Sequence, residues 1–163
     1  MRNVYLMSVE DVRFLVLHCS GTRCNQNYTA EMLQRDHQAM NLRDVGYHFY
    51  IRRDGTKTQH RLPLEAGAHC PPFNKCSIGI CYEGGLDEEG FPCNTMTAQQ
   101  KGTMTDLLCT LHRLFPKAEI VGHRDLPGNA AKDCPCLDAR KEFGWICECS
   151  DLRFLNYQLG MFN

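Results

Sequence analysis

The sequence predicts one α/β domain, a central mixed β-sheet flanked by α-helices. Three observations predict it. Short apolar or β-branched runs alternate with segments of helical period along the chain. One pair of runs is joined by Asp54-Gly55, a hairpin signal, so at least one strand pair is antiparallel. The length of 163 residues, 43% hydrophobic and 23% charged, fits a single globular domain with a core of its own.

The elements follow in order. Residues 13–20 read as a buried strand, in which Phe14-Leu15-Val16-Leu17 leads into His18. After a polar loop, Thr29 is placed to cap a helix that runs to about Met40. Residues 47–53 and 56–61 are the arms of the hairpin. Residues 76–82 form a further strand, closed by Gly84-Gly85. Thr97-Ala98-Gln99-Gln100 is a capping-box pattern. Met104, Leu107, Leu108, Leu111, Leu114 and Phe115 then keep helical spacing up to Pro116. A short strand over 118–122 delivers His123, and 137–143 reads as a last helix. The whole of 1–163 is taken as one domain, with a core of about 12–143 and a cysteine-containing extension over 144–163. In that extension Tyr157, Leu159, Met161 and Phe162 either pack back on the domain or offer a partner surface.

Composition excludes several classes. A net charge of -1 gives no broad basic field for nucleic acid. The early apolar run over 14–17 is short and follows Glu10, Asp11 and Arg13, so it is neither a signal peptide nor a membrane span. The chain is therefore expected to be made in the cytoplasm, with no membrane partner. Its eleven cysteines are read as mainly reduced thiols. Cys134, Cys136, Cys147 and Cys149 form two C-x-C pairs, which lack the C-x₂₋₄-C spacing of a structural zinc site and read as small buried thiols.

The chemistry-bearing residues sit where strands end. His18 closes one strand, His123 closes another, and Cys134 closes the loop after His123. Open α/β sheets place their sites at such edges. Two imidazoles and a thiolate are three ligands for zinc, with a fourth position left for water, as in catalytic rather than structural sites. Spacing alone leaves the plainer reading open, because seven histidines and eleven cysteines allow many triples.

The ordered segments Leu17-His18-Cys19-Ser20, Gly46-Tyr47-His48-Phe49, Gly122-His123-Arg124-Asp125 and Lys132-Asp133-Cys134-Pro135 resemble the type 2 N-acetylmuramoyl-L-alanine amidases. That family includes amidase-type phage lysozymes and animal peptidoglycan-recognition proteins. The Ile51-Arg52-Arg53-Asp54-Gly55 hairpin and the His69…Ser77-Ile78-Gly79-Ile80 stretch agree with it, so the resemblance runs over about 12–143. It implies one catalytic Zn²⁺ on His18, His123 and Cys134, and catalytic roles for Tyr47 and Lys132. The reaction implied is hydrolysis of the amide between the lactyl group of N-acetylmuramic acid and L-alanine.

Lys132 would offer its charge to the oxyanion. Tyr47 would donate a hydrogen bond there, or orient and deprotonate the water. By the same resemblance His69 falls at a family position that lines the substrate cleft and is taken as a substrate or oxyanion contact, with a surface histidine as the plainer reading. Asp125 either supports His123 or caps the following loop. His48 is set aside, because strand alternation turns it to the face opposite Tyr47.

Cys134 resembles the ligand of phage lysozymes and catalytic recognition proteins; wall-recycling amidases have Asp there, and non-catalytic recognition proteins often Ser. The expectation is a monomeric phage or prophage endolysin whose partner is bacterial peptidoglycan, waiting in the cytoplasm and acting on the cell wall after release. The competing readings are a non-catalytic peptidoglycan-binding module, a muropeptide-recycling amidase and a thiol-metal protein.

Overall fold

The computed structural model describes residues 4–148. The segment beyond, with Cys149 and the apolar Tyr157, Leu159, Met161 and Phe162, lies outside the described residues. Within them the strands and α-helices run β1 (Phe14–Cys19), β2 (Thr22–Arg23), α1 (Ala30–Ala39), β3 (Phe49–Ile51), β4 (Lys57–Gln59), β5 (Ser77–Tyr82), β6 (Gly85–Leu86), α2 (Ala98–Leu114), β7 (Glu119–Gly122), α3 (Ala139–Phe143) and α4 (Trp145–Glu148).

Five strands form a mixed sheet in the order β4-β3-β5-β1-β7. β1 lies parallel to β5 and β7, β5 lies parallel to β3, and only the β3–β4 hairpin is antiparallel. The central strand shows why the sheet is buried on both faces. Leu15, Leu17 and Cys19 pack into the main core with Met104, Leu108 and Leu111 of α2 and Phe143 of α3. Val16 points the other way, to Val121, Leu126 and Cys70. His18 falls on the Val16 side of this alternation, so β1 delivers its imidazole to the face away from α2.

The helices start where the sequence places them. Thr29 accepts the Met32 N–H at 3.3 Å and opens α1. Leu33 of α1 packs with Val45, Tyr50 and Cys81 over the β3–β5 part of the site face. Thr97 and Gln100 close a reciprocal capping box on α2, at 3.1 and 3.0 Å. The Gln100 amide also donates to the carbonyls of Ile51 and Glu83, at 3.1 and 2.9 Å, which ties the helix to the ends of β3 and β5. Glu83 is a second tie: its buried carboxylate accepts the N–H groups of Tyr28 and Arg53 at 2.6 and 3.0 Å and the Arg52 guanidinium at 3.3 Å.

Some elements differ from the sequence expectation. β2 and β6 form a separate two-stranded parallel sheet in segments read as loop and turn. β3 begins at Phe49, two residues later than expected, because Tyr47 and His48 lie in a bend. Leu114 is 57% exposed, because the chain leaves the helix there and Phe115 takes the core position. α4 lies in the extension, directly after α3.

Candidate metal and active site

Parallel register builds the first half of the site. Leu17 of β1 stands beside Gly122 of β7, so the next residue of each strand, His18 and His123, emerge side by side. Their ring centroids are 4.5 Å apart. The loop after His123 then returns over this pair. The Arg124 N–H donates to the Cys134 carbonyl at 3.0 Å, and the Tyr82 hydroxyl donates to the Pro135 carbonyl at 2.7 Å. Gly122 permits the return, since a Cβ there would stand 2.7 Å from the Pro135 ring.

The loop places the Cys134 sulfur 3.7 Å from His18 Nδ1, where it also accepts the Cys19 N–H at 3.4 Å. One nitrogen from each histidine and this sulfur all lie within 4.8 Å of one another. A tetrahedral zinc with Zn–N near 2.0–2.1 Å and Zn–S near 2.3 Å sets its N and S ligands about 3.6 Å apart. The donor set and its spacing therefore fit zinc.

The second nitrogen of His18 is also assigned. Its Nε2 lies 3.0 Å from His69 Nδ1, and His69 Nε2 lies 3.4 Å from the Ser77 hydroxyl. That hydroxyl donates to the Phe73 carbonyl at 2.7 Å. The chain therefore runs one way. Ser77 accepts from His69, His69 accepts from His18, and His18 Nδ1 is left with a free lone pair towards Cys134. Burial, then the neighbouring His69, His123 and Lys132, hold His18 neutral by pushing its pKa well down. Burial does the same to His69.

His69 is thus 8% exposed with both ring nitrogens engaged inside the protein, whereas the sequence expectation put it on substrate. The Asn74 side chain accepts the backbone N–H groups of His69 and Cys70, at 2.9 and 2.8 Å. Gly79 makes room for the ring, since a Cβ there would come within 2.6 Å of it.

Tyr47 and Lys132 complete the cluster. The Tyr47 ring is 5.0 Å from His18 and 5.4 Å from His37, whose Nδ1 accepts the Gly46 N–H at 2.9 Å and so fixes the approach to Tyr47. Burial, then the thiols of Cys81, Cys134 and Cys19, push the Tyr47 phenol well above its ordinary pKa. The Lys132 amine reaches His123 Nε2 at 3.2 Å. Asp125 accepts the Gly122 N–H at 2.7 Å, which is the loop-capping alternative.

His48 is not on a separate face. Its ring lies 5.8 Å from His69, and Tyr47 lies 6.3 Å from the same ring, because the bend before β3 breaks the alternation. His48 offers no free nitrogen: Nδ1 accepts the Gly79 N–H at 3.0 Å, and Nε2 donates to the Glu65 carbonyl at 2.7 Å.

Burial pushes His48 from its ordinary 6.5 down to about 4. Above about pH 6.5 the folded and unfolded forms both carry it neutral. Below that, only the unfolded chain takes the proton, so stability falls as the pH drops towards 4, by up to about 1.4 kcal/mol per pH unit. Denaturant unfolding in chelator at about pH 7.5 and pH 5 should show this loss, with about 2 kcal/mol of it absent in His48→Gln. An unchanged pH slope in that variant would rule out His48 as its source.

Comparisons with known proteins give the family. Residues 8–136 match the family described as N-acetylmuramoyl-L-alanine amidase. The chain is 34% identical to the endolysin of Enterobacteria phage K11 over 146 residues, covering 90% of this chain and 93% of that protein. It is 34% identical to the endolysin of Escherichia phage T7 over 142 residues, covering 86% and 91%. Among solved structures, the N-acetylmuramoyl-L-alanine amidase endolysin LysCS of Clostridium intestinale superposes with a TM-score of 0.67 at 23% identity, over 98% of this chain and 92% of that one. Bumblebee PGRP-SA superposes with a TM-score of 0.68 at 19% identity, over 86% and 84%. The family match spans both histidines, the lysine and the cysteine that the fold gathers at one sheet edge, and it follows that this chain belongs to the N-acetylmuramoyl-L-alanine amidase family.

Proposed function

We propose that this amidase cleaves the amide between the lactyl group of N-acetylmuramic acid and L-alanine in bacterial peptidoglycan, with one zinc ion on His18, His123 and Cys134, and that it serves as a phage-type endolysin. The observation that carries the reading is the convergence of two imidazoles and one thiol, within 4.8 Å, in a chain of this family. The endolysin role rests on relatives that it matches over nearly their whole length. Among the described residues no helix is long and apolar enough to cross a membrane. In this reading the chain acts as a monomer.

Zinc held there would supply Lewis acidity and an activated water near neutral pH. The protein's own groups do the rest. The Cys19 N–H donates to the Cys134 sulfur and so holds it beside His18. The raised pKa of Tyr47 keeps its phenol protonated at neutral pH, so it serves as a hydrogen-bond donor to the developing oxyanion rather than as a base.

Lys132 supplies the positive charge. An ammonium donates only to an unprotonated nitrogen, and ligation of either His123 nitrogen leaves no unprotonated Nε2 facing it. With His123 holding zinc, the amine would be free to turn to the substrate.

His69 is a positioning residue in this scheme: it holds the His18 tautomer from behind. His69→Ala should weaken zinc affinity about 10–100-fold, read by competition with a chromogenic chelator. A direct substrate contact would instead raise KM and leave zinc affinity unchanged.

The defining experiment incubates the purified protein with Gram-negative-type peptidoglycan, with and without chelator, and identifies products by mass spectrometry. Stem peptides with a free L-alanine amino terminus, lost on chelation and restored by zinc, are the expected result. Binding without release at full zinc occupancy would overturn the enzymatic reading in favour of a recognition module.

A further inference from the structure

Beside the metal site lie two thiols that its chemistry does not use. The sulfurs of Cys19, at the end of β1, and Cys136, in the loop after Cys134, are 3.7 Å apart although 117 residues separate them in sequence. Both are thiols in this structure. Each borders a ligand position: Cys19 follows His18, and Cys136 stands two residues beyond Cys134.

Local geometry aims the pair at each other. Cys136 holds φ at 62°, in the left-handed region, where a residue with a Cβ persists only when its surroundings fix it. The fixing contacts are its N–H on the Asp133 carbonyl at 2.6 Å and the Tyr82 hydroxyl on the Pro135 carbonyl at 2.7 Å. Gly85 opens the space where the sulfurs meet, since a Cβ there would stand 2.5 Å from the Cys19 sulfur and 3.6 Å from that of Cys136.

We propose that Cys19 and Cys136 form an intramolecular disulfide that staples the Cys134 loop to β1 once the protein meets an oxidising environment. An S–S bond is about 2.05 Å long, so the sulfurs close by about 1.7 Å, within reach of side-chain rotation. The oxidant is a small-molecule disulfide such as oxidised glutathione. The more accessible Cys136 attacks one glutathione sulfur as its thiolate and displaces the other as a thiolate. Cys19 then attacks the Cys136 sulfur of the mixed disulfide and displaces the second glutathione. The two cysteine protons end on the two departing glutathione thiolates. The two protein sulfurs are oxidised by two electrons in all, and one glutathione disulfide is reduced to two thiols. Exchange is slow because the Cys19 thiol is buried.

The staple suits an enzyme that leaves a reducing cytoplasm to work on the wall, and in that setting it rests on the endolysin reading. It closes a long loop, so it restrains the unfolded chain strongly. It also holds the loop that carries one ligand against the strand that carries another.

The test is a non-reducing peptide map of the full zinc-loaded chain after hours with oxidised glutathione. The expected product is a Cys19–Cys136 cross-linked peptide, with zinc retained, a melting midpoint raised by roughly 5–10 °C, and slower zinc loss to chelator. Reduction should reverse each change. Cys136→Ser should keep zinc and amidase activity under reducing conditions and lose every redox-dependent difference. A cross-link that consumes Cys134 and releases zinc, or no Cys19–Cys136 peptide at all, would overturn the proposal. So would loss of zinc from reduced Cys136→Ser, which would place Cys136 in the metal site. The map reads the bond directly, so its failure is distinct from a failure to cleave peptidoglycan.

Discussion

Cys134→Ser sharply weakens zinc binding and lowers hydrolysis by about three orders of magnitude or more, while the fold survives. Among the three proposed ligands a cysteine would bind zinc as its one anionic donor, and a serine hydroxyl stays protonated at neutral pH and does not replace it. The two imidazoles that remain hold zinc weakly, and without zinc there is no activated water. The fold survives because other groups hold the loop: the Arg124 N–H on the Cys134 backbone carbonyl and the Tyr82 hydroxyl on the Pro135 carbonyl are both untouched. Zinc content by atomic emission, secondary structure by circular dichroism, and peptide release from peptidoglycan together decide it. A variant that is fully active, or that keeps stoichiometric zinc, sinks this ligand set.

The parts of the molecule that were legible in the sequence are those set by local pattern. The apolar run into His18, the Thr29 cap, the Asp54-Gly55 turn and the Thr97–Gln100 capping box each depend on a few adjacent residues. The two-residue strands β2 and β6 were not legible. They exist only because Thr22 and Gly85 meet across the fold, and neither segment has strand character of its own.

The same division holds at the site. The juxtaposition of His18 and His123 follows from two strand ends in parallel register; chain position already offered Cys134 as the third member, among many possible triples, and the family resemblance singled that set out. The engagement of His69 with His18 was hidden. It depends on Gly79 leaving bare backbone for the ring and on Asn74 holding the loop, and neither makes a periodic signal. Alternation misplaced His48 because Tyr47 and His48 precede the strand rather than belong to it. The Cys19–Cys136 approach was also invisible, since it needs the left-handed turn at Cys136 as well as the long-range closure.

Lys132→Ala lowers kcat about 10²–10³-fold and leaves zinc content unchanged. Lys132 contributes no ligand atom, so its removal takes nothing from the metal. Its loop position two residues before Cys134 sets the amine at the rim of the cluster, 3.2 Å from His123, beside the place where, in the proposed mechanism, a negative charge would develop as the amide carbonyl is attacked. A point charge there does little for the neutral ground-state carbonyl and much for the oxyanion, so the loss should fall on kcat more than on KM. Lys132→Arg should rescue poorly, because a planar guanidinium cannot take the place of a compact ammonium on a flexible stem. The side chain is exposed, which makes a folding defect an implausible cause of the loss. Parallel loss of zinc and turnover would instead mean that Lys132 holds His123 in place and that the oxyanion is stabilised by Tyr47 and the metal site without it.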